Sequence, residues 1–318
     1  MVYRCAILDD YQNVALKMAD WASLKPDVEV HVFDKPFADV ADVTRSLQGF
    51  NIVSAMRERT PFSREVIEAL PDLKLLITTG MANKSIDLAA CKGRVTVCGT
   101  QGVGNPTTGI AFGLMFELTR RIGFENARMK VGKPWQVTIG PDLEGLTLGI
   151  IGLGKLGKRV AGIAQAFGMK ILAWSPNLTK ETAEAAGVAY ASKQDLLRQA
   201  DIVTIHMQLS ERTIGLLGAG DLALMKPSAY LVNTSRGPLV DEKALIDVLT
   251  QKRIGGAGLD VFNVEPLPLG HLFRSLDNVV MTPHLGYVTE QNYKKNYGDV
   301  VENIRAFLKG SPIRVLAS

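Results

Sequence analysis

The chain has little cysteine. Cys5, Cys91 and Cys98 are its only three in 318 residues and form no C-x-x-C pair, which excludes a disulfide framework and points to a reducing cytoplasm. Long apolar runs are missing too. No stretch approaches the 18 residues of a membrane span, and the opening MVYRCAILDD lacks the apolar core of a signal peptide. There is no basic tract either. The net charge of +4 is dispersed, and its densest pieces, Arg120–Arg121 and Lys294–Lys295, fall on helical patterns, so neither nucleic acid nor membrane is an expected partner. Low-complexity segments are absent, and no cluster of metal ligands stands out. What remains is an ordinary globular composition, 47% hydrophobic and 21% charged, long enough for roughly two domains.

Short β-rich runs alternate with helical patterns along the first hundred residues: CAILDD (5–10), VEVHVF (28–33), NIVSAM (51–56), KLLITT (74–79) and RVTVCG (94–99). Such alternation signals βαβ units and a parallel sheet. A long helical pattern over 107–129 then interrupts the rhythm, and we read it as one helix at a domain junction. A second series runs from LTLGIIGLG (146–154) through KILAW (170–174), DIVTIHM (201–207), AYLVNTS (229–235), GAGLDVF (256–262) and NVVMTP (278–283). It predicts the larger, doubly wound sheet. A last helix, about 287–309, has no strand of its own to serve. The fold class expected is therefore α/β, with a dinucleotide-binding domain over 104–286 and a discontinuous substrate domain from 1–103 and 287–318.

GIIGLGKLG (149–157) carries Gly152, Gly154 and Gly157 in G-x-G-x-x-G spacing, directly after a strand and before a helix. The first glycine permits the tight turn, the second a close approach to a pyrophosphate, and the third close packing of helix on strand. Backbone N–H groups of Gly154, Lys155, Leu156 and Gly157 then face the anion. The next strand ends in Trp174-Ser175-Pro176-Asn177. An acidic residue there would accept the ribose hydroxyls of NAD and repel a 2′-phosphate. With Ser175 in its place and no arginine over 176–179, the cofactor is NAD or NADP. Ser175, Asn177 and Thr179 can hydrogen-bond either ribose.

Three further stretches follow strands: LVNTSRGPLVD (231–241), GLDVFNVEPLP (258–268) and VVMTPHLGY (279–287). Ligands of open α/β sheets bind beyond the carboxyl ends of the strands, so Arg236, Glu265 and His284 can converge there. His206 also stands at a strand end, where it faces the cofactor or fills the core. His31 and His271 have no assigned role.

These motifs, in this order, resemble the D-isomer-specific 2-hydroxyacid dehydrogenase family, whose marks are the glycine turn, an Asn-x-x-Arg-Gly stretch, a Glu-Pro and a Pro-His. The resemblance extends over nearly the whole chain. It implies two Rossmann-like domains, hydride transfer between NAD(P)H and a 2-keto or D-2-hydroxy acid, and a homodimer formed through the 107–145 region. Arg236 would bind the substrate carboxylate and carbonyl, His284 would be the acid/base, and Glu265 would stand behind it. Thr234 and Asp260 would serve the cofactor, Asp260 at the nicotinamide carboxamide. Backbone N–H groups of the loop at 80–83, with Met81 and Ala82, would hold the carboxylate. The chemistry agrees, because a carbonyl oxygen that gains charge as hydride arrives needs a proton donor, and free histidine titrates near about 6.5. A carboxylate behind the ring fixes its tautomer.

The chain departs from the family pattern in TGMANKSID (79–87), where Ala82 replaces a second glycine that can take positive φ. Arg57, in AMRERTPF (55–62), either faces the substrate and favours a second anionic group or belongs to a solvated charge run. The alternative function is an NAD(H)-sensing regulatory protein on the same fold. Intact Arg236, Glu265 and His284 disfavour it, since a sensor needs no matched acid and base.

Overall fold

A computed structural model describes residues 2–317. Their strands are β1 (Tyr3–Ile7), β2 (Val28–Val32), β3 (Ile52–Ala55), β4 (Leu75–Thr78), β5 (Thr96–Gly99), β6 (Thr147–Ile151), β7 (Lys170–Trp174), β8 (Ala189–Tyr190), β9 (Ile202–Ile205), β10 (Tyr230–Asn233), β11 (Gly256–Leu259), β12 (Val279–Met281) and β13 (Val315–Ala317). The chain divides into two compact units, Met1–Gly104 with Val288–Ser318, and Asn105–Tyr287.

In the second unit the sheet order is β12-β11-β10-β9-β6-β7-β8, with every pairing parallel. β6, β7 and β8 run outward to one side and β9, β10, β11 and β12 to the other, which puts the topological switch between β6 and β9, where doubly wound sheets bind ligands. Both faces are covered. Neighbouring residues alternate between two apolar clusters, Ile151, Val203 and Leu231 in one and Ile150, Ile202 and Val232 in the other. Strands buried on both faces read as unbroken apolar runs, and each such side chain contributes about 2 kcal/mol by burial.

The first unit's sheet runs β13-β5-β4-β3-β1-β2. Its five leading strands are parallel in the second doubly wound order, 2-1-3-4-5, while β13 pairs antiparallel with β5. Two expectations change here. The sheet is not wholly parallel, and the last helix, Glu290–Leu308, is followed by an edge strand. That helix holds the exit of β5 through a buried polar row: Thr100 donates to Asn296 at 3.0 Å, the Gln101 N–H to Asp299 at 2.7 Å and the Val103 N–H to Asn292 at 3.2 Å.

The pattern over 107–129 also proves to be two helices, Thr107–Arg120 and Ile122–Lys130. Arg121 between them is left-handed at φ 49°, and the Glu117 carboxylate accepts the Gly123 and Phe124 N–H groups at 2.7 and 3.3 Å. Those side-chain bonds satisfy backbone groups of the restarted helix and so make the break tolerable.

Candidate active site

Most helices here open on a Ser, Thr or Asp cap, as at Ser192, Asp241 and Thr289. The helix after β6, Lys155–Ala166, opens on Gly154 with no side-chain cap, which leaves its first N–H groups available to an anion. Gly152 sits at φ 103°, and a Cβ there would lie 2.5 Å from the His206 carbonyl oxygen; one on Gly157 would lie 2.1 Å from the Gly152 carbonyl oxygen. Neither position accepts a side chain. A Cβ on Gly154 would meet nothing within 4 Å, so the space over the helix start is open. That combination fits a dinucleotide pyrophosphate at Gly154, Lys155, Leu156 and Gly157.

At the end of β7, the Ser175 hydroxyl accepts the Leu153 N–H at 3.0 Å. It therefore pins the glycine turn. Thr179 caps the helix Lys180–Ala185, and Lys180 faces Glu184 at 3.8 Å.

His206 and Thr234 follow β9 and β10, which are paired so that Ile205 lies opposite Asn233. The His206 ring shares a 3.0 Å hydrogen bond with Thr204 through Nε2, while His206 Nδ1 and Thr234 Oγ1 are buried without a protein partner. Two unpaired polar atoms at the ends of neighbouring strands favour a polar ligand there, because such atoms are rarely left unmatched. Burial pushes the His206 pKa down to about 4, so the ring is neutral near pH 7. An unfolded histidine takes up a proton below about 6.5, and the folded one refuses it until about 4. This burial is therefore free of penalty above about pH 6.5 and destabilises as the pH falls through that window, by about 2 kcal/mol at pH 5. Urea unfolding midpoints at pH 5 and pH 7 should lie closer together in His206→Gln than in the parent chain. An equal separation would mean that His206 is not held neutral.

Arg236, Glu265 and His284 all belong to this unit. Asn233, buried at the end of β10, shapes the turn that carries Arg236: its amide donates to the Arg236 carbonyl at 2.9 Å and its carbonyl accepts the Ser235 N–H at 3.0 Å. The Arg236 guanidinium donates to the Ser235 carbonyl at 2.7 Å. Glu265 and His284 meet directly, with Glu265 Oε2 2.6 Å from His284 Nδ1. Glu265 Oε1 accepts the Phe262 N–H at 2.9 Å. A carboxylate can only accept, so His284 Nδ1 carries the proton and Nε2 is the atom left for a substrate. The Tyr287 ring packs edge-on to the imidazole, centroids 5.5 Å apart.

Asp260 is fully buried at the end of β11. Its carboxylate accepts from Thr282 Oγ1, Leu285 N and Gly286 N, and burial raises its pKa against the lowering by these bonds. Asn233 and Thr282 join the site only through these structural contacts. The Asn-x-x-Arg spacing carried a signal for the first, whereas nothing local marks the second.

In the first unit Arg57 follows β3 in the left-handed region at φ 54°. Its N–H donates to Thr79 Oγ1 at 2.9 Å, and Nη1 occupies the space that a Cβ on Gly80 would need, 2.3 Å away. Met81 and Ala82 are exposed. Positive φ falls on Gly80 and not on Ala82, so alanine is accommodated without strain. Asn83 fixes this loop, donating to the Arg57 carbonyl at 2.6 Å and to Thr78 Oγ1 at 2.8 Å. Among the described residues there is no metal-ligand cluster and no helix long and apolar enough to cross a membrane.

The family model described as D-isomer specific 2-hydroxyacid dehydrogenase, NAD binding domain, matches residues 112–286. A D-3-phosphoglycerate dehydrogenase of Synechocystis sp. is 38% identical over 263 residues, covering 81% of this chain and 47% of its own. A glyoxylate reductase of Thermococcus litoralis is 37% identical over 258 residues, covering 78% and 77%. Among solved structures, a phosphoglycerate oxidoreductase from Vibrio cholerae superposes with a TM-score of 0.92 at 33% identity, covering 98% of this chain and 100% of that one. The chain belongs to the D-isomer specific 2-hydroxyacid dehydrogenases, a family of nicotinamide-dependent oxidoreductases. It spans about half the length of the Synechocystis relative.

Proposed function

We propose that this protein interconverts 2-keto acids and D-2-hydroxy acids with NADH or NADPH, using His284 as acid and base. The observation that carries this reading is the 2.6 Å contact of His284 with Glu265, on the same sheet that carries the uncapped glycine turn. A bound nicotinamide dinucleotide supplies or accepts the hydride. Arg236 offers a permanent cation and a forked donor to the carboxylate and carbonyl oxygen of the keto acid. As negative charge grows on that oxygen, His284 delivers its Nε2 proton there, and Glu265 holds the Nδ1 proton and the ring plane. In the reverse direction Nε2 takes the hydroxyl proton. In the first unit, Arg57 and the backbone N–H groups of Met81 and Ala82 are the groups we assign to the substrate.

Both cofactors fit this reading, because Ser175 places no negative charge against a 2′-phosphate. Initial rates of NADH and NADPH oxidation, measured side by side with a panel of 2-keto acids, test the proposal. Consumption of either cofactor supports it. Binding of both without turnover on any keto acid would sink it and favour the sensor.

We further propose a homodimer. Ile122, Met129, Val131, Trp135 and Ile139 are all exposed on the segment after the junction helix, Trp135 at 72%, and this density of exposed apolar side chains supports an interface there. Trp135→Glu should therefore sediment as a monomer where the parent chain sediments as a dimer, and an unchanged mass would remove this surface from the interface. Three free, buried thiols suit a reducing cytoplasm.

A further inference from the structure

The loop that presents His284 does not hold its shape by backbone alone. His284 lies in the left-handed region at φ 54°, which costs a residue with a Cβ about 1 kcal/mol. Its N–H turns back onto the Thr282 carbonyl at 2.9 Å. One side chain gathers this loop from within. Asp260 Oδ1 accepts the Thr282 hydroxyl at 2.6 Å and the Leu285 N–H at 2.7 Å, and Oδ2 accepts the Gly286 N–H at 2.8 Å. The three bonds grip the chain on both sides of His284. The fit is close, since a Cβ on Gly286 would lie 3.0 Å from Oδ2, and Thr107 Oγ1 closes the far side by donating to the Gly286 carbonyl at 2.9 Å.

We propose that Asp260, with Thr282, is a positioning residue that sets the left-handed loop and thereby aims His284 Nε2 at the reacting oxygen. The inference rests on the acid/base reading of His284. It goes beyond what the family resemblance implies, a hydrogen bond to the nicotinamide carboxamide, because here both oxygens also accept from the loop that carries His284. An amide cannot replace it. Asparagine accepts through one oxygen only, so its NH2 would face either the Gly286 N–H or the pair formed by Thr282 and Leu285, and one side of the clasp would open. Glu265 would still hold the ring, but from a backbone free to leave the strained conformation. A proton donor displaced by about 1 Å can lose 10²-fold in rate.

The test compares Asp260→Asn and Thr282→Val with the parent enzyme and with His284→Ala. For each, kcat, the solvent deuterium isotope effect on kcat, and NADH affinity and stoichiometry by fluorescence titration are measured. The expected result for Asp260→Asn is a kcat lower by about 10²-fold, a larger solvent isotope effect as proton delivery becomes limiting, and one NADH bound per chain with nearly unchanged affinity. Thr282→Val, which removes one of the three donors, should shift kcat and the isotope effect in the same sense by less, and it carries the test alone if Asp260→Asn does not fold. Unchanged kcat in the variants would overturn the proposal, as would a loss of NADH affinity with kcat restored at saturating cofactor. A fully active His284→Ala would instead overturn the acid/base reading beneath it.

Discussion

Replacing His284 by alanine should lower kcat for 2-keto acid reduction by about 10³-fold and leave NADH binding nearly intact. The magnitude follows from the work asked of the ring. General acid catalysis by a positioned side chain contributes about 10²–10⁴-fold, and Nε2 of His284 is the ring atom not tied to Glu265. The residues we propose for the cofactor argue for the second half of the expectation, because the glycine turn, His206 and Thr234 lie at the ends of β6, β9 and β10, whereas His284 follows β12. NADH titration of the variant separates the two effects. If turnover survives in the alanine variant, another group delivers the proton, and the 2.6 Å pair is only an ion pair of the loop.

Much of the site was legible because its signals are local. Gly152, Gly154 and Gly157 answer to backbone constraints that act within one turn, and the apolar runs of β6, β9, β10 and β11 are continuous because helices cover both faces of the sheet. Less could be read where the decisive partner is remote. β8 and β13 have two and three residues, too few for a period. The break at Arg121 depends on Glu117 reaching forward to Gly123 and Phe124. Ser175 raised a question of cofactor choice in the sequence, and its tie to Leu153, 22 residues away in sequence, added a structural task to it. Asp260 shows the limit most clearly. As one aspartate after a strand it carries a role only by resemblance, and its bonds to 282–286 exist only once β11 and β12 lie side by side.

Glu265→Gln should be nearly as damaging as a deletion, at about 10²-fold or more in kcat in both directions, although it changes one atom. Both oxygens of Glu265 accept hydrogen bonds, Oε1 from the Phe262 N–H and Oε2 from His284 Nδ1. Glutamine has one acceptor and one NH2. If its oxygen keeps the Phe262 contact, the NH2 faces Nδ1 and forces that nitrogen to accept, which moves the proton of the neutral ring to Nε2 and leaves no base for oxidation of a hydroxy acid. If the amide turns over, two donors oppose each other at Phe262 and the turn before Pro266 loses its anchor. In either case the imidazolium that reduction requires loses the charge that stabilises it. Steady-state rates in both directions for Glu265→Gln and Glu265→Asp decide the matter. The shorter carboxylate retains the acceptor chemistry but not the reach, so it should recover part of the loss. A glutamine variant as active as the parent would show that His284 takes its orientation from the Asp260 clasp alone.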